Sequence, residues 1–298
     1  MAVSPGRRPS DARDFSDPDS PDDADPSPLR RLVLAQLEEP GGAAVRLLTT
    51  AALADDEPLG PDAAAAAHEL GLDPAPPPLF SPDGYLLQSA LGEQALADGS
   101  AHTLPTSAVV ACNYHDVPPE NRPDVERRLR RLRDLGPTVD LGSDLAAPAP
   151  GPRIVVAFYD SYRDAALFGA DLCHRLGLRA WFFPLFRRPD DEPGAAGLSD
   201  AELADLATEH ELCFHTASHT RADDVTEADL AREVTDVHAR LTDLAGRPPR
   251  VGAWLGGSRF DERHLGNRTL RGLGVPHLIS NWSLETIPDA RAERHTGD

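Results

Sequence analysis

The chain has 298 residues, which is enough to bury a substantial core and suits one barrel-sized domain with or without an appendage. Its formal net charge is −20, and all 29 basic residues are arginine. Because such an acidic surface repels phosphate backbones, the composition argues against nucleic acid as a partner.

Cysteine usage and the distribution of apolar residues predict where the protein works. The three cysteines have neither disulfide nor zinc-knuckle spacing, which indicates buried thiols in a reducing compartment. Arg7 and Arg8 are followed by Asp, Ser and Pro instead of an apolar segment, and no later run approaches the roughly 18 apolar residues of a membrane-spanning helix. We therefore expect a cytoplasmic protein without a membrane partner.

The N-terminal third differs in composition from the rest. Residues 1–28 are rich in Asp, Pro and Ser and predict a disordered acidic tail. Residues 29–106 are rich in Ala and Leu and predict a small helical accessory region, in which a homodimer could form. Its helical candidates are Leu29–Leu37, Ala43–Leu53, Pro61–Leu70 and the residues Leu86, Leu87, Leu91 and Ala95.

Beyond Ser107 short apolar runs alternate with amphipathic helices. The strand-like runs are Ala108–Cys112, Ile154–Phe158, Ala180–Leu185, Leu212–Phe214, Val251–Leu255 and His277–Ile279. The helical stretches include 125–132, 167–176 and an apolar stripe of Leu230, Val234, Val237, Leu241 and Leu244. This alternation predicts an α/β fold with a parallel sheet, open or closed, whose functional residues follow the C-terminal ends of strands.

Two histidines four residues apart follow one of these runs. His215 and His219 come directly after Leu212–Phe214 and lie among Thr216, Ser218 and Thr220. The spacing alone is weak evidence, because roughly 0.4 such pairs are expected by chance in a chain of this length with 11 histidines. The alternative is a pair of histidines that only cap loop carbonyls.

A carboxylate follows a second run. Asp160 comes after Ile154–Phe158 and Tyr159, and it could instead cap the next helix or pair with Arg163. Together with the two histidines it makes a two-His-one-carboxylate set. That set suits zinc as a hydrolytic Lewis acid, with cobalt as a substitute, and it equally suits ferrous iron as an oxygen activator.

Five stretches occur in the order of the motifs of one family. They are Asn113–Asp116, Ile154–Ala166, Ala180–Phe183, His215–His219 and Leu230–Gly246. The second resembles a motif that reads Thr-Phe-Asp-Asp-Gly-Tyr, and the fourth resembles His-Ser/Thr-x-x-His. These are motifs of the polysaccharide deacetylases, the NodB-like family, and the resemblance extends over roughly residues 107–298.

The resemblance implies a distorted, incomplete (β/α) barrel of the polysaccharide deacetylase type, preceded by the small helical N-terminal region. It also implies removal of acetyl groups from N-acetylated sugars with the help of a metal. By this correspondence the metal ligands are Asp160, His215 and His219. The implied substrate is a small-molecule or carrier-linked N-acylated compound, and the most suitable ion is zinc, with iron or cobalt as alternatives.

The chain departs from the family pattern at the catalytic base. Tyr159 stands where the family has its base Asp, and the third motif, in which an Arg precedes Pro-Tyr, reads Ala253–Gly257 here. The family's late Leu-x-His motif is absent. A phenol with a pKa near 10 is a poor base at neutral pH unless a metal lowers that pKa, and the alternative role for Tyr159 is to donate a hydrogen bond to a substrate oxygen.

Other residues are expected to complete the site. His115 or Asp116 is the candidate proton carrier, and the backbone of Gly256 and Gly257 is a candidate oxyanion donor. Two tryptophans are expected to contact substrate: Trp254 in the third motif, and Trp282, for which a buried core position is the alternative.

Three functions are compatible with these residues. The first is a metal-dependent deacetylase acting on carbon-nitrogen bonds other than peptide bonds, with altered chemistry. The second is a degenerate deacetylase fold that binds a ligand without hydrolysing it. The third is an iron-dependent redox enzyme that uses the same three ligands.

Overall fold

The fold is an eight-stranded curled sheet with helices packed on its outer face. The computed structural model describes residues 44–50, 88–89, 91–93, 95–97, 108–145, 147, 149, 151–187 and 197–288. Its strands are β1 Ala44–Thr50, β2 Ala108–Tyr114, β3 Arg153–Tyr159, β4 Trp181–Phe183, β5 Glu211–Leu212, β6 Val251–Gly252, β7 His277–Ile279 and β8 Ser283–Thr286. Its helices are α1 Arg122–Leu135, α2 Arg163–Leu176, α3 Asp200–Glu209, α4 Asp236–Ala245 and α5 Leu265–Gly272, with a π-helical turn, Ala231–Thr235, before α4.

The strand order makes the sheet a distorted barrel. It runs β5-β4-β3-β2-β1-β8-β7-β6, with parallel pairs except where β8 pairs antiparallel with β1 and β7. The two ends of this order meet, because Phe214 just beyond β5 forms a bridge to Gly252 of β6. The N–H of Phe214 donates to Val251, and the N–H of Ala253 donates to Phe214. The predicted α/β fold with a distorted (β/α) barrel is confirmed.

Side chains alternate between two cores, as the two-residue period of a strand requires. In β2, Val109 and Ala111 face the barrel interior, whereas Val110 and Cys112 face the helices. The interior is filled by large side chains such as Trp181 and by small ones between them. At the C-terminal ends of the strands the same alternation continues. The inward-facing side chains there lie at the mouth of the barrel.

The predicted helix Ala43–Leu53 is wrong, because residues 44–50 form strand β1. The strand lies between β2 and β8, and residues 45–50 are buried. A short apolar run does not reveal its own period, and here pairing with two neighbouring strands decided its conformation. The predicted accessory region 29–106 therefore contributes a central strand, so the boundary at residue 106 does not separate this segment from the barrel.

The rest of the N-terminal third is largely outside the described residues. The predicted tail 1–28 and the predicted helices Leu29–Leu37 and Pro61–Leu70 lie outside the described residues. The described residues between 88 and 97 are helical, as expected. All three cysteines are free and buried. In the part of the chain that the structure describes, no helix combines the length and the hydropathy needed to cross a membrane.

Helix α3 begins with a capping box that also ties it to α2. The Ser199 hydroxyl accepts from the N–H of Glu202, whose carboxylate accepts from the N–H of Ser199. The same carboxylate accepts a hydrogen bond from Arg163 Nε at 2.8 Å. The bonds from Arg163 and Ser199 lower the pKa of Glu202 from 4.5 to about 2.

We expect Glu202→Gln to make the free energy of unfolding depend less on pH in the acidic range. Because the folded-state pKa is depressed, the bonds of Glu202 stabilise the fold above pH 4.5 and are lost as the pH falls toward 2. Urea unfolding of the wild type should therefore lose stability more steeply over this interval than unfolding of Glu202→Gln. Glu227→Gln, at an exposed position, is the control and should follow the wild type; equal slopes for Glu202→Gln and wild type would contradict the prediction.

Candidate metal centre

Asp160 lies at the C-terminal end of β3, where the strand turns sharply. Its N–H donates to the carbonyl of Phe183 at the end of β4. The next residue, Ser161, ties the turn to the chain beyond β4, since its hydroxyl accepts from Leu185 N–H at 2.9 Å and lies 3.2 Å from the Leu185 carbonyl. These bonds aim the Asp160 carboxylate into the mouth of the barrel.

The two histidines follow β5 and reach the same mouth. His215 Nδ1 lies 2.9 Å from the carbonyl oxygen of Ala253, which belongs to the segment after β6. The ring centroids of His215 and His219 are 5.0 Å apart in an edge-to-face arrangement. Asp160 and His215 are buried, whereas the side chain of His219 is 33% exposed and faces solvent. Strands β3, β5 and β6 therefore contribute jointly to one cluster.

The distances in this cluster suit a single metal ion. The Asp160 Oδ1 atom lies 3.1 Å from His215 Nε2 and 3.6 Å from His219 Nε2. One ligand atom from each of the three residues lies within 4.8 Å of the others. Ligand atoms at the usual distances from Zn²⁺ are separated from one another by roughly 3 to 3.6 Å. The predicted ligand set is thus brought together with the spacing that an ion requires.

The contact between His215 and Asp160 requires a positive charge between them. The Ala253 carbonyl only accepts hydrogen bonds, so it fixes the proton of a neutral His215 on Nδ1. Nε2 then presents a lone pair to an ionised carboxylate oxygen at 3.1 Å. Two acceptors at this distance repel each other unless a proton or a cation lies between them. A cation satisfies both, with the histidine oriented as in protein metal sites.

The electrostatic environment of Asp160 favours its charged form. Burial acts to raise the pKa of this carboxyl, but it is outweighed by His215, His219 and His115, whose protonated rings attract the carboxylate and, for His215, also donate a hydrogen bond to it. The net effect lowers the pKa below its ordinary value. Asp160 is therefore ionised at neutral pH, the form in which a carboxylate could bind a cation.

Backbone strain is concentrated on the same two loops. In the described part of the chain, the non-glycine residues with positive φ are Asp160, Ser161, Thr216 and His219, with φ between 29° and 64°. A non-glycine residue in this region costs of order 1 kcal/mol or more and persists only where its surroundings hold it. Strain at two ligands and at two neighbours of ligands is typical of a functional site.

A cavity of about 250 Å³ opens beside the cluster. Its wall includes both histidine ligands, Tyr159, His115, Asn113, Ala253, Trp254, Leu255, Gly256, Gly257, Ile279, Ser280 and Asn281. The Asn113 side chain is an unexpected member. Asn113 is 9% exposed, and its Oδ1 has no hydrogen-bond partner within the described residues. A buried amide of this kind is expected to bond a ligand or water.

Tyr159 and His115 form one side of the cavity. The Tyr159 ring stacks on Phe183 and on His115, with ring centroids 4.5 Å and 5.5 Å apart, and packs edge-to-face against His215 at a centroid distance of 5.6 Å. His115 Nε2 lies 3.8 Å from Asp160 Oδ2. The stacking holds the phenol next to the ligand cluster, and His115 lies on the other side of the phenol ring, also close to Asp160.

Other residues predicted for the site lie elsewhere or are already bonded. Asp116 is exposed and does not line the cavity. Trp282 is buried outside the lining, which corresponds to the alternative core position. The N–H of Gly257 donates to the Trp254 carbonyl at 2.9 Å, so it is not available as an oxyanion donor.

Trp254 and Gly256 do line the cavity. The Trp254 indole N–H donates to Asn267 Oδ1 at 2.8 Å, and its ring packs edge-on against Phe214. Its contribution to the site is therefore an apolar wall. Gly256 has φ 76°, a conformation that suits glycine, and its carbonyl lies 3.3 Å from Asn281 Nδ2.

Sequence reasoning missed Asn113, Asn281 and Glu233. Asn113 is the last inward-facing residue of β2 before His115, so its alternation with Val109 and Ala111 was a usable signal. Glu233 is a carboxylate beside the apolar stripe of the 230–244 helical segment, and a charge in that place signals a buried partner. Asn281 had no such signal, because it bonds residues distant in sequence.

Comparison with known proteins gave structural likenesses only. No protein-family model and no curated protein matches the chain. It is similar to the solved structure of IcaB from Ammonifex degensii, with TM-score 0.47 and 16% identity over 57% of this chain and 82% of that one. It is also similar to a polysaccharide deacetylase from Bacillus cereus, with TM-score 0.43 and 18% identity over 54% of this chain and 55% of that one, so it spans about half of that protein. The deacetylase PplD from Streptococcus pyogenes, in complex with acetate, gives TM-score 0.38 and 14% identity over 76% of this chain and 78% of that chain.

Proposed function

We propose that this protein is a metal-dependent hydrolase that removes an acyl group, such as acetyl, from an N-acylated sugar or a small-molecule amide. One observation carries the proposal. Asp160, His215 and His219 converge at the C-terminal mouth of the barrel, beside a cavity of about 250 Å³. A three-residue ligand set of which two histidines line an open cavity is typical of catalytic sites rather than of closed structural ones. The motif order resembling polysaccharide deacetylases supports the same reaction.

The residues present fit a divalent cation. His215 and His219 offer ring nitrogens and Asp160 a carboxylate, a donor set that zinc accepts and that iron or cobalt also accepts. A divalent cation supplies Lewis acidity toward a carbonyl oxygen and lowers the pKa of water. Zinc suits hydrolysis best, because it has no redox chemistry.

His115 is the proposed proton carrier. Its ring lines the cavity, and its side chain is 38% exposed, so it can exchange protons with solvent. Histidine is the side chain that most often takes and returns protons in enzymes. In the proposed hydrolysis, water attacks the carbonyl carbon, His115 Nε2 takes the proton from water, and the same nitrogen gives it to the amine as the C–N bond breaks.

Tyr159 and Asn113 are proposed to hold the substrate. The Tyr159 hydroxyl donates a hydrogen bond to a substrate oxygen, while Phe183 and His115 keep its ring in place. The terminal amide of Asn113 lies in the wall of the cavity and bonds the N–H or a hydroxyl of the substrate. The proposal includes soluble or carrier-linked substrates that are hydrolysed in the cytoplasm. It also includes a homodimer that forms through the N-terminal region.

The test is reconstitution followed by a substrate panel. The protein is stripped with a chelator and reloaded with zinc, cobalt or, under anaerobic conditions, ferrous iron. It is then assayed for acetate release from N-acetylated sugars and small N-acetylated amides. We expect release that depends on the metal. Oxygen consumption with iron and no release with any metal would instead support the redox enzyme.

A non-hydrolytic binder is the second candidate, favoured by one feature of the cavity. Among the described residues, its lining contains no aspartate or glutamate, and Asp160 lies just outside the lining, 3.8 Å from His115 Nε2. A site without a carboxylate base is what a degenerate deacetylase fold would present. Binding of metal and of an N-acetylated sugar without turnover would support this candidate.

Asn113→Leu tests substrate recognition, because leucine has a similar size and no polar end. We expect KM to rise about 3- to 10-fold with little change in kcat, the effect of losing one hydrogen bond. Metal affinity should stay unchanged. Steady-state kinetics on the best substrate of the panel measures both constants, and an unaltered KM would mean that Asn113 does not contact the substrate.

A further inference from the structure

A buried carboxylate outside the ligand set supports the loop that carries both histidines. Glu233 lies on the π-helical turn Ala231–Thr235, and its side chain is 1% exposed. Its two oxygens face the loop His215–Thr220. A charged group at this depth is costly unless it is paired and hydrogen-bonded, so its partners indicate what it is for.

Glu233 accepts four hydrogen bonds from donors of this loop. Oε2 accepts from the N–H of Ala217 at 3.1 Å and of Ser218 at 2.9 Å. Oε1 accepts from the Ser218 hydroxyl at 2.9 Å, and Oε2 accepts from the Thr220 hydroxyl at 3.3 Å. Arg232 Nε donates to Oε1 at 2.7 Å and balances the charge. These donors belong to residues between His215 and His219, or to Thr220 directly after His219.

These bonds hold a loop that would not keep its shape alone. Thr216 has φ 29° and His219 has φ 61°, conformations that a non-glycine residue leaves when nothing constrains it. His219 has the more exposed side chain of the two ligands. Its position therefore depends on the backbone, and Glu233 is the group that fixes the backbone directly before it.

The π-helical turn is the device that aims Glu233. In this turn the N–H of Asp236 donates to the carbonyl of Ala231, five residues earlier, which widens the helix. Both Glu233 and Val234 are buried there. Isolated π-turns occur frequently at functional sites.

We infer that Glu233 is a positioning residue for the metal centre, which sets the affinity for the ion by fixing the His215–Thr220 loop. The inference rests on the proposed function to the extent that the wild type must bind a metal. Partners that orient metal ligands typically contribute 10- to 100-fold to affinity. Glu233→Gln keeps the size but replaces one acceptor oxygen by an NH₂ group that faces donors.

A second buried carboxylate provides a matched control. Glu211 is as deeply buried at the opposite end of the barrel, where it pairs with Arg179, Arg247 and Arg250. Glu211→Gln makes the same chemical change, and we expect it to destabilise the fold because it weakens three ion pairs. It touches no residue of the loop that carries the ligands, so it separates loss of stability from loss of positioning.

The experiment measures the dissociation constant for Zn²⁺ by competition with a chromophoric chelator, on folded protein. We expect Glu233→Gln to weaken Zn²⁺ binding about 10- to 100-fold and Glu211→Gln to leave it unchanged. Equal affinity of Glu233→Gln and wild type overturns the inference, as does an equal loss in Glu211→Gln. A wild type that binds no Zn²⁺, cobalt or iron overturns the proposed function and the inference together.

If Glu233→Gln does not fold, two milder variants carry the test. Ser218→Ala and Thr220→Val each remove one side-chain hydrogen bond to Glu233 and leave the carboxylate in place. We expect the double variant to weaken Zn²⁺ binding about 3- to 10-fold, as the loss of one or two hydrogen bonds implies. An unchanged affinity in the folded double variant would overturn the inference.

Discussion

Asp160→Ala is expected to abolish metal-dependent activity and to leave the fold intact. The Asp160 carboxylate contacts both histidine ligands, at 3.1 and 3.6 Å, so its removal takes away one ligand and the negative charge of the site. We expect metal affinity to fall by more than about 100-fold, since partners of ligands alone contribute 10- to 100-fold. Activity should fall at least about 1,000-fold, which corresponds to several kcal/mol of Lewis-acid stabilisation.

The control for this change lies four residues away. Asp164 is exposed, and its carboxylate is 3.8 Å from Arg163. Asp164→Ala should keep wild-type metal content and activity. Metal analysis after gel filtration, chelator competition and acetate release measure the three quantities. If Asp160→Ala retained one equivalent of metal with wild-type affinity, the ligand assignment would be wrong, and His215→Ala provides an independent check.

Tyr159→Phe is expected to lower kcat about 10- to 100-fold without changing metal affinity. The substitution removes one hydroxyl, whereas the ring keeps its stacking on Phe183 at 4.5 Å and on His115 at 5.5 Å. Loss of a single donor to a developing oxyanion typically lowers kcat about 100- to 1,000-fold, and donation to a less charged substrate oxygen has a smaller effect. The effect should appear in kcat, because the bond is strongest in the transition state.

Tyr162→Phe is the matched control for the tyrosine, since Tyr162 packs against the outer core next to α2 instead of lining the cavity. It should leave both kcat and metal affinity unchanged. Tyr159→Ala, by contrast, should also disturb the neighbouring His115 and His215 rings, which makes it the less informative variant. Wild-type kcat in Tyr159→Phe would exclude the hydroxyl from the reaction and strengthen the case for His115 acting without it.

The two outcomes together separate the proposed functions. A hydrolase requires both large effects on acetate release. A non-hydrolytic binder would lose ligand binding in Asp160→Ala while showing no turnover in any variant. An iron-dependent redox enzyme would lose oxygen consumption in Asp160→Ala, with no acetate released by the wild type. The same set of variants therefore tests the reaction class as well as the residues.

The sequence by itself predicted a parallel α/β sheet and brought the three candidate ligands together for a local reason, whereas the closure into a barrel was implied only by the family resemblance. Asp160 and His215 each follow an apolar run, and the C-terminal ends of parallel strands share one edge of a sheet, so residues placed there meet. The same logic located His115 after β2. It did not separate His115 from Asp116, because which of two adjacent residues faces the mouth depends on how the strand ends.

Only the tertiary structure decided the features that depend on partners distant in the chain. Residues 44–50 form a strand because β2 and β8 flank them, although their own apolar run was equally compatible with a helix. The N–H of Gly257 is not available as the predicted oxyanion donor, because it already donates to the Trp254 carbonyl. Glu233 holds the His215–Thr220 loop because the π-helical turn aims it at donors 13 to 16 residues earlier in the chain. A sequence records the type of each side chain, whereas hydrogen bonds and burial belong to pairs of residues that only the fold brings together.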